Sequence, residues 1–184
     1  MEPPLTGRGD RRSANLFVVN IVVIYALWKG FAYLVKHTNG KLHDTWMSVI
    51  CYLGEAYASA ASLILNLFGE KTMRYGISVF FSDFNKIIRV EDHCLAIPAT
   101  VIFIGSILSF AGSWKNKLWF VPMGIIMIIL INLTRLVLLC YIFAHFSKAF
   151  YDINHSVVYV ILTYTLVFLL IVWWMKKFSG LNEK

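Results

Sequence analysis

Apolar and polar positions along this chain are grouped in blocks. Five apolar runs, about 14–35, 45–68, 95–114, 118–144 and 156–175, have the length of the ~20 residues with which a helix crosses a bilayer. The pattern predicts an all-α polytopic membrane protein, a bundle of about five transmembrane helices in one domain over residues 14–178. Residues 1–13, with Pro3, Pro4, Gly7 and Gly9, carry no apolar period and predict a polar leader, while residues 179–184 form a short tail. One block breaks the helical pattern, at about 76–90. There Ile77 to Phe81 and Ile87 to Val90 are β-branched or aromatic runs around the polar turn Ser82 to Lys86, which predicts a small extramembrane β-hairpin before the third helix. Pro98 falls in the opening turn of that helix, where a missing N–H does no harm.

Composition supports the membrane assignment. Of 184 residues, 59% are hydrophobic and only 15% charged, too apolar for a soluble domain of this length. The net charge of +7 sits mostly in the gaps between apolar runs, as anchors and orientation signals do, so nucleic acid is not an expected partner. Cys51 and Cys140 lie inside apolar runs and Cys94 at the edge of one, which is no disulfide framework. The first run is too long for a signal-peptide core and lacks a small-residue cleavage site after it. Lys115 and Lys117, with Lys176 and Lys177, predict cytoplasmic span ends, and hence an outward-facing opposite end. Five spans would then put the N-terminus outside, against the charge of Arg8, Arg11 and Arg12. Lys71, Arg74, Lys86 and Arg89 in the hairpin segment add to that conflict.

Three charges lie inside the apolar runs. Arg135 is the costliest, since insertion scales charge roughly 2.5–3.5 kcal/mol for a guanidinium at mid-membrane, so such a residue by default faces a protein interior or a wet cavity. The competing reading is snorkelling to the headgroups. Lys29 and Glu55, at similar depths if the first two helices are antiparallel, predict a structural ion pair.

Helix parity brings three chemically active groups together. If the third helix enters the membrane at Cys94, the fourth returns toward that face and the fifth enters from it at His155. Arg135, about nine residues before the end of its span, lies ~13 Å below the same surface, half of which its own side chain covers. Cys94 at a helix N-terminus beside a cation is a candidate nucleophile with its thiolate favoured. His155, with Asp152 and Asn154 able to orient its ring, is a candidate proton carrier between thiol and leaving amine. Arg135 is a candidate for holding an oxyanion or the substrate carbonyl. His93 is a weaker candidate base, because adjacent side chains diverge at a helix start. Two rival readings stand beside this one. His93, Asp92, His145, Asp152 and His155 would make a metal-dependent hydrolase, without helical ligand spacing in support. A non-enzymatic transport or assembly component would pair Arg135 with Glu55 and leave Cys94 incidental.

The blocks Glu91-Asp-His-Cys94, Asn132-Leu-Thr-Arg135-Leu-Val-Leu-Leu and Phe150-Tyr-Asp-Ile-Asn-His155 resemble the exosortase/archaeosortase membrane enzymes, with a Cys, an Arg and a His on successive transmembrane helices. Phe110-Ala-Gly-Ser and Lys117-Leu-Trp-Phe-Val-Pro-Met-Gly resemble that family's linking region, and the similarity covers roughly residues 75–178. The resemblance implies a cysteine-type endopeptidase or transpeptidase in the bacterial inner membrane, with its site on the extracytoplasmic side. It would cleave the C-terminal sorting signal of exported proteins, a motif followed by a transmembrane helix and a basic cluster, and pass the acyl group to a lipid or glycan acceptor or to water. By the same resemblance Cys94 would be the nucleophile, His155 the general acid/base and Arg135 the third member, with Asn132 one turn away positioning it. No cofactor and no metal are implied. Leu95-Ala96 stand where many members carry a small residue and glycine.

Overall fold

The structure is a computed structural model that describes residues 7–83, 86–109 and 113–178, with side chains from Val19 onward apart from His93. Residues 1–6 of the expected leader, the linking residues 110–112 and the tail 179–184 lie outside the described residues. From Gly7 the expected leader is already helical, the start of α1 (Gly7–His37). There follow α2 (Lys41–Leu67), β1 (Thr72–Tyr75), β2 (Ser78–Phe81), β3 (Lys86–Arg89), a 3-10 turn (Asp92–Leu95), α3 (Ile97–Ser109), α4 (Trp114–His145), α5 (Lys148–Ile153), a π-helical turn (Asn154–Val158) and α6 (Tyr159–Phe178). The chain is an all-α membrane protein with a small extramembrane sheet. Among the described residues, four helical segments are long and apolar enough to cross a membrane: Val19–His37, Lys41–Leu67, Trp114–His145 and Lys148–Phe178.

The helix expected over 95–114 is shorter. α3 has 13 residues, or about 20 Å. Its start is displaced because Cys94 and Leu95 belong to the preceding 3-10 turn, which ends at Ala96 in the left-handed region (φ 53°). α4, with 32 residues, runs about 48 Å and overreaches the ~30 Å hydrocarbon layer. Its far part rises beside the sheet.

Direction follows from the contacts. α1 and α3 are antiparallel: Lys36 pairs with Asp92 at 2.8 Å, and a Cβ on Gly105 would stand 3.0 Å from Ile24. α3 ends where Lys117 Nζ donates to the Leu108 carbonyl at 3.1 Å, capping its open C-terminus. α4 departs from that end and finishes at His145, and α6 returns to it, with Phe178 against Trp119 at 5.7 Å. α2 does not follow this axis. Near its start His43 Nδ1 meets the Val35 carbonyl at 2.9 Å, and just past its end Glu70 pairs with His145 at 2.7 Å, so both termini of α2 sit at the end of the bundle that carries Cys94.

Two cores result. Phe103, Ile107, Phe120, Ile128, Val167, Ile171 and Trp174 join α3, the first half of α4 and α6. Ala58, Ala61, Leu65, Val79, Phe81, Leu136 and Cys140 join α2, the sheet and the second half of α4. The expected hairpin is the β2–β3 pair, to which β1 adds a third antiparallel strand. Gly76, at φ 58° in the two-residue β1–β2 turn, supplies the positive φ such turns require. Thr72 fastens β1 to α2 through Ser62 and Asn66, and Lys86 Nζ fastens β3 to α4 by donating to the Phe143 and Ala144 carbonyls at 3.0 and 2.9 Å.

Candidate active site

Cys94 lies at the seam between the two cores. Its N–H closes the 3-10 turn on the Glu91 carbonyl at 2.9 Å, and its carbonyl accepts a 2.6 Å hydrogen bond from Asn132 Nδ2 on α4. Asn132, buried, therefore fixes the cysteine backbone and not, as expected, Arg135. The left-handed Ala96 turns the chain into α3 just behind the thiol. Glycine enters that conformation freely and alanine at a cost of about 1–2 kcal/mol, so the bend expected of a glycine is present on an alanine.

Cys94 Sγ stands 3.9 Å from His155 Nε2. The polar gap between the fourth and fifth apolar runs is mostly helix: Ser147 caps α5, and the run continues through the π turn that carries His155 into α6. A π turn widens the helix by one residue and re-aims the side chains on it. The ring is oriented differently from the expectation. Asn154 Nδ2 donates to its own helix at the Phe150 carbonyl, and Asp152 is exposed. Tyr151 stacks on His155 instead, with centroids 5.5 Å apart and planes 15° apart, and is itself braced by the Phe143 ring at 5.3 Å. The i, i+4 spacing of Tyr151 and His155 was the available signal in the sequence.

Arg135 is 7% exposed. It lines a cavity of about 330 Å³ together with His155, Lys29 and Tyr164, while Cys94 and His155 share a second cavity of about 280 Å³ with Arg89, Glu91 and Tyr151. His155 is common to both. The structure thus brings Cys94, His155 and Arg135 around one imidazole, with thiol and guanidinium reached from different sides.

The expected ionised thiol is not found. Burial pushes the Cys94 thiol above its ordinary range; a backbone contact at Glu91 and the Arg135 guanidinium pull the other way without prevailing, and the Glu91 and Asp92 carboxylates add to the rise. The helix dipole invoked for it belongs to α3, which begins only at Ile97. At neutral pH the resting group is a protonated thiol, and its activation needs a base.

Two other expectations are corrected. Glu55 pairs with Arg74 at 3.2 Å, neither with Lys29 nor with Arg135. In the rival metal set, His145 is held by Glu70 and Asp92 by Lys36, and the His93 side chain lies outside the description. No cluster of three or more metal-ligating side chains occurs among the described residues.

The family model for transmembrane exosortases (Exosortase_EpsH) matches residues 13–174. No curated protein and no solved structure matches the chain.

Proposed function

Because the chain belongs to the transmembrane exosortase family, we propose that it is a membrane-embedded cysteine transpeptidase or peptidase that removes the C-terminal sorting tail of exported proteins. The single observation that carries the reading is the 3.9 Å approach of Cys94 Sγ to His155 Nε2 in a chain of this family. That separation is long for proton transfer, as unliganded sites often are, and tightens when substrate fills the cavity.

In this mechanism His155 takes the Sγ proton as the sulfur attacks the scissile carbonyl carbon. The carbonyl oxygen becomes an oxyanion within the field of Arg135, whose charge also acts on the Cys94 thiol. Collapse breaks the C–N bond, His155 returns its proton to the departing amine, and a thioester remains on Cys94. An acceptor amine or hydroxyl, from a lipid or a glycan, or water then releases the acyl group and regenerates the thiol. Tyr151 holds the imidazole plane, and Asn132 holds the cysteine backbone.

The bundle's geometry supports an extracytoplasmic site in the bacterial inner membrane. α1 is antiparallel to α3, so its N-terminal turns, bearing Arg8, Arg11 and Arg12 in sequence, point toward the end with Lys115, Lys117, Lys176 and Lys177. The N-terminal arginines thereby join those lysines at one end, while Lys36, Lys41 and the basic residues of the sheet segment lie at the other, several of them in ion pairs. Co-expression of tail-bearing exported proteins with the wild type and with Cys94→Ala tests the function. Wild type yields shortened C-terminal ends by mass, and Cys94→Ala leaves the tails intact; equal processing by both would refute the proposal.

A further inference from the structure

The cavity under Arg135 holds two cations and no acid. Lys29 on α1 and Arg135 on α4 both line it, and among the described residues neither has a carboxylate partner. Glu55 is paired with Arg74, Glu70 with His145 and Asp92 with Lys36, and Glu91 lines the adjoining cavity on the other side of His155. A guanidinium that is 7% exposed and has no carboxylate partner among the described residues is costly in a low-dielectric setting. An anion entering the cavity relieves that cost. The remaining wall supplies hydroxyls, from Tyr25 on α1 and from Ser156 and Tyr164 on the α5–α6 run, which suit a polyoxygen group.

The position of the cavity selects the kind of anion. Lys29 lies eight residues, about 12 Å, inside the end of α1, within an apolar segment long enough to span. α1 packs on α3, and α6 on α3 and α4, so the cavity lies where α1 and α6 flank α3 without a packed interface of their own. An opening between two spans faces acyl chains, and a ligand entering there keeps its apolar part in the bilayer. We propose that the Lys29–Arg135 cavity binds the phosphate of an anionic phospholipid headgroup, inserted sideways between α1 and α6. Arg135 grips the phosphate through its planar fork, and Lys29 adds a point charge at the entrance. The site shares Arg135 with the proposed peptidase centre but does not depend on the thiol step.

Native mass spectrometry of the full chain in detergent, titrated with phosphatidylglycerol, phosphatidylcholine or inorganic phosphate, tests this. Wild type should retain phosphatidylglycerol at least tenfold more tightly than phosphatidylcholine. Lys29→Gln should lose most of that preference, Lys29→Arg should keep it, and thermal unfolding of each variant verifies that it is folded. Cys94→Ala should bind phosphatidylglycerol as wild type does, which separates the lipid site from the peptidase reading. An unchanged preference in folded Lys29→Gln would overturn the proposal. So would equal retention of the two lipids, or displacement of phosphatidylglycerol by inorganic phosphate at equal concentration, which would mark a site for free anions.

Discussion

The two halves of the bundle, one below Cys94 and one above it, are held by different means. Below, α3, α4 and α6 meet through aromatic and small side chains: Phe120 touches Trp174 at 4.8 Å, and Gly124 lets the Phe103 ring lie against the α4 backbone. The polar contact at its edge is Lys117 on an open helix end. Above, α2 and the sheet are tied by side-chain hydrogen bonds and ion pairs, among them Ser62–Thr72, Asn66–Thr72, Arg74–Glu55 and Lys86 on the end of α4. Lipid tails are as apolar as leucine, so helices within them associate by close packing. A sheet with an open edge has backbone groups that hydrocarbon cannot satisfy, so it belongs outside that layer. Cys94, His155 and Arg135 sit where the two regimes meet, close to water and to the bilayer at once.

That contrast can be broken from either side, and the largest effect is expected at the seam. Arg135→Lys should lower the rate of tail processing by about 10²-fold or more, the scale of losing one preorganised oxyanion donor, because a point charge cannot replace the fork. Expression of the variant with a tail-bearing protein and quantitative mass spectrometry of the processed fraction measures it. In the lower half, Gly124→Ala drives a Cβ into the Phe103 ring, which is fully buried and cannot step aside. It should cost about 1–3 kcal/mol by overpacking, read as a lower thermal midpoint in detergent. In the upper half, Thr72→Val removes the hydroxyl joining Ser62 and Asn66 and should cost about 1–2 kcal/mol. Hydrogen exchange should show that loss confined to β1 and the end of α2, with α3 and α6 unchanged; uniform destabilisation would mean the halves are not separate units.

The lower half was the more readable because a bilayer writes its constraint into composition: long apolar runs marked the helices, although α3 is shorter than its run. The convergence of Cys94, Arg135 and His155 on one region followed from parity together with the cost of a buried guanidinium. The upper half was less legible. β1 has a single buried residue, Thr72, held by hydrogen bonds and not by an apolar alternation, so no pattern announced it. α2 reads as a span by length and apolarity, but the 2.7 Å contact between Glu70, just beyond it, and His145 is one that nothing local in either segment encodes, and with it the path of α2. The helical start of α1 within the polar leader, the π turn at His155 and the left-handed Ala96 were likewise invisible, since each is a backbone choice imposed by packing. Tyr151 carries no distinctive signal, since a tyrosine one turn from a histidine is common on helices.

The central claim is that the sulfur of Cys94, activated by His155, carries the acyl group between cleavage and transfer. Intact-mass analysis of the enzyme purified after brief co-expression with a tail-bearing substrate tests it most directly. The account predicts a hydroxylamine-labile adduct that maps to Cys94 and is absent from both Cys94→Ala and His155→Ala. Efficient processing with no adduct at any time point, or an adduct that persists in Cys94→Ala, would contradict it.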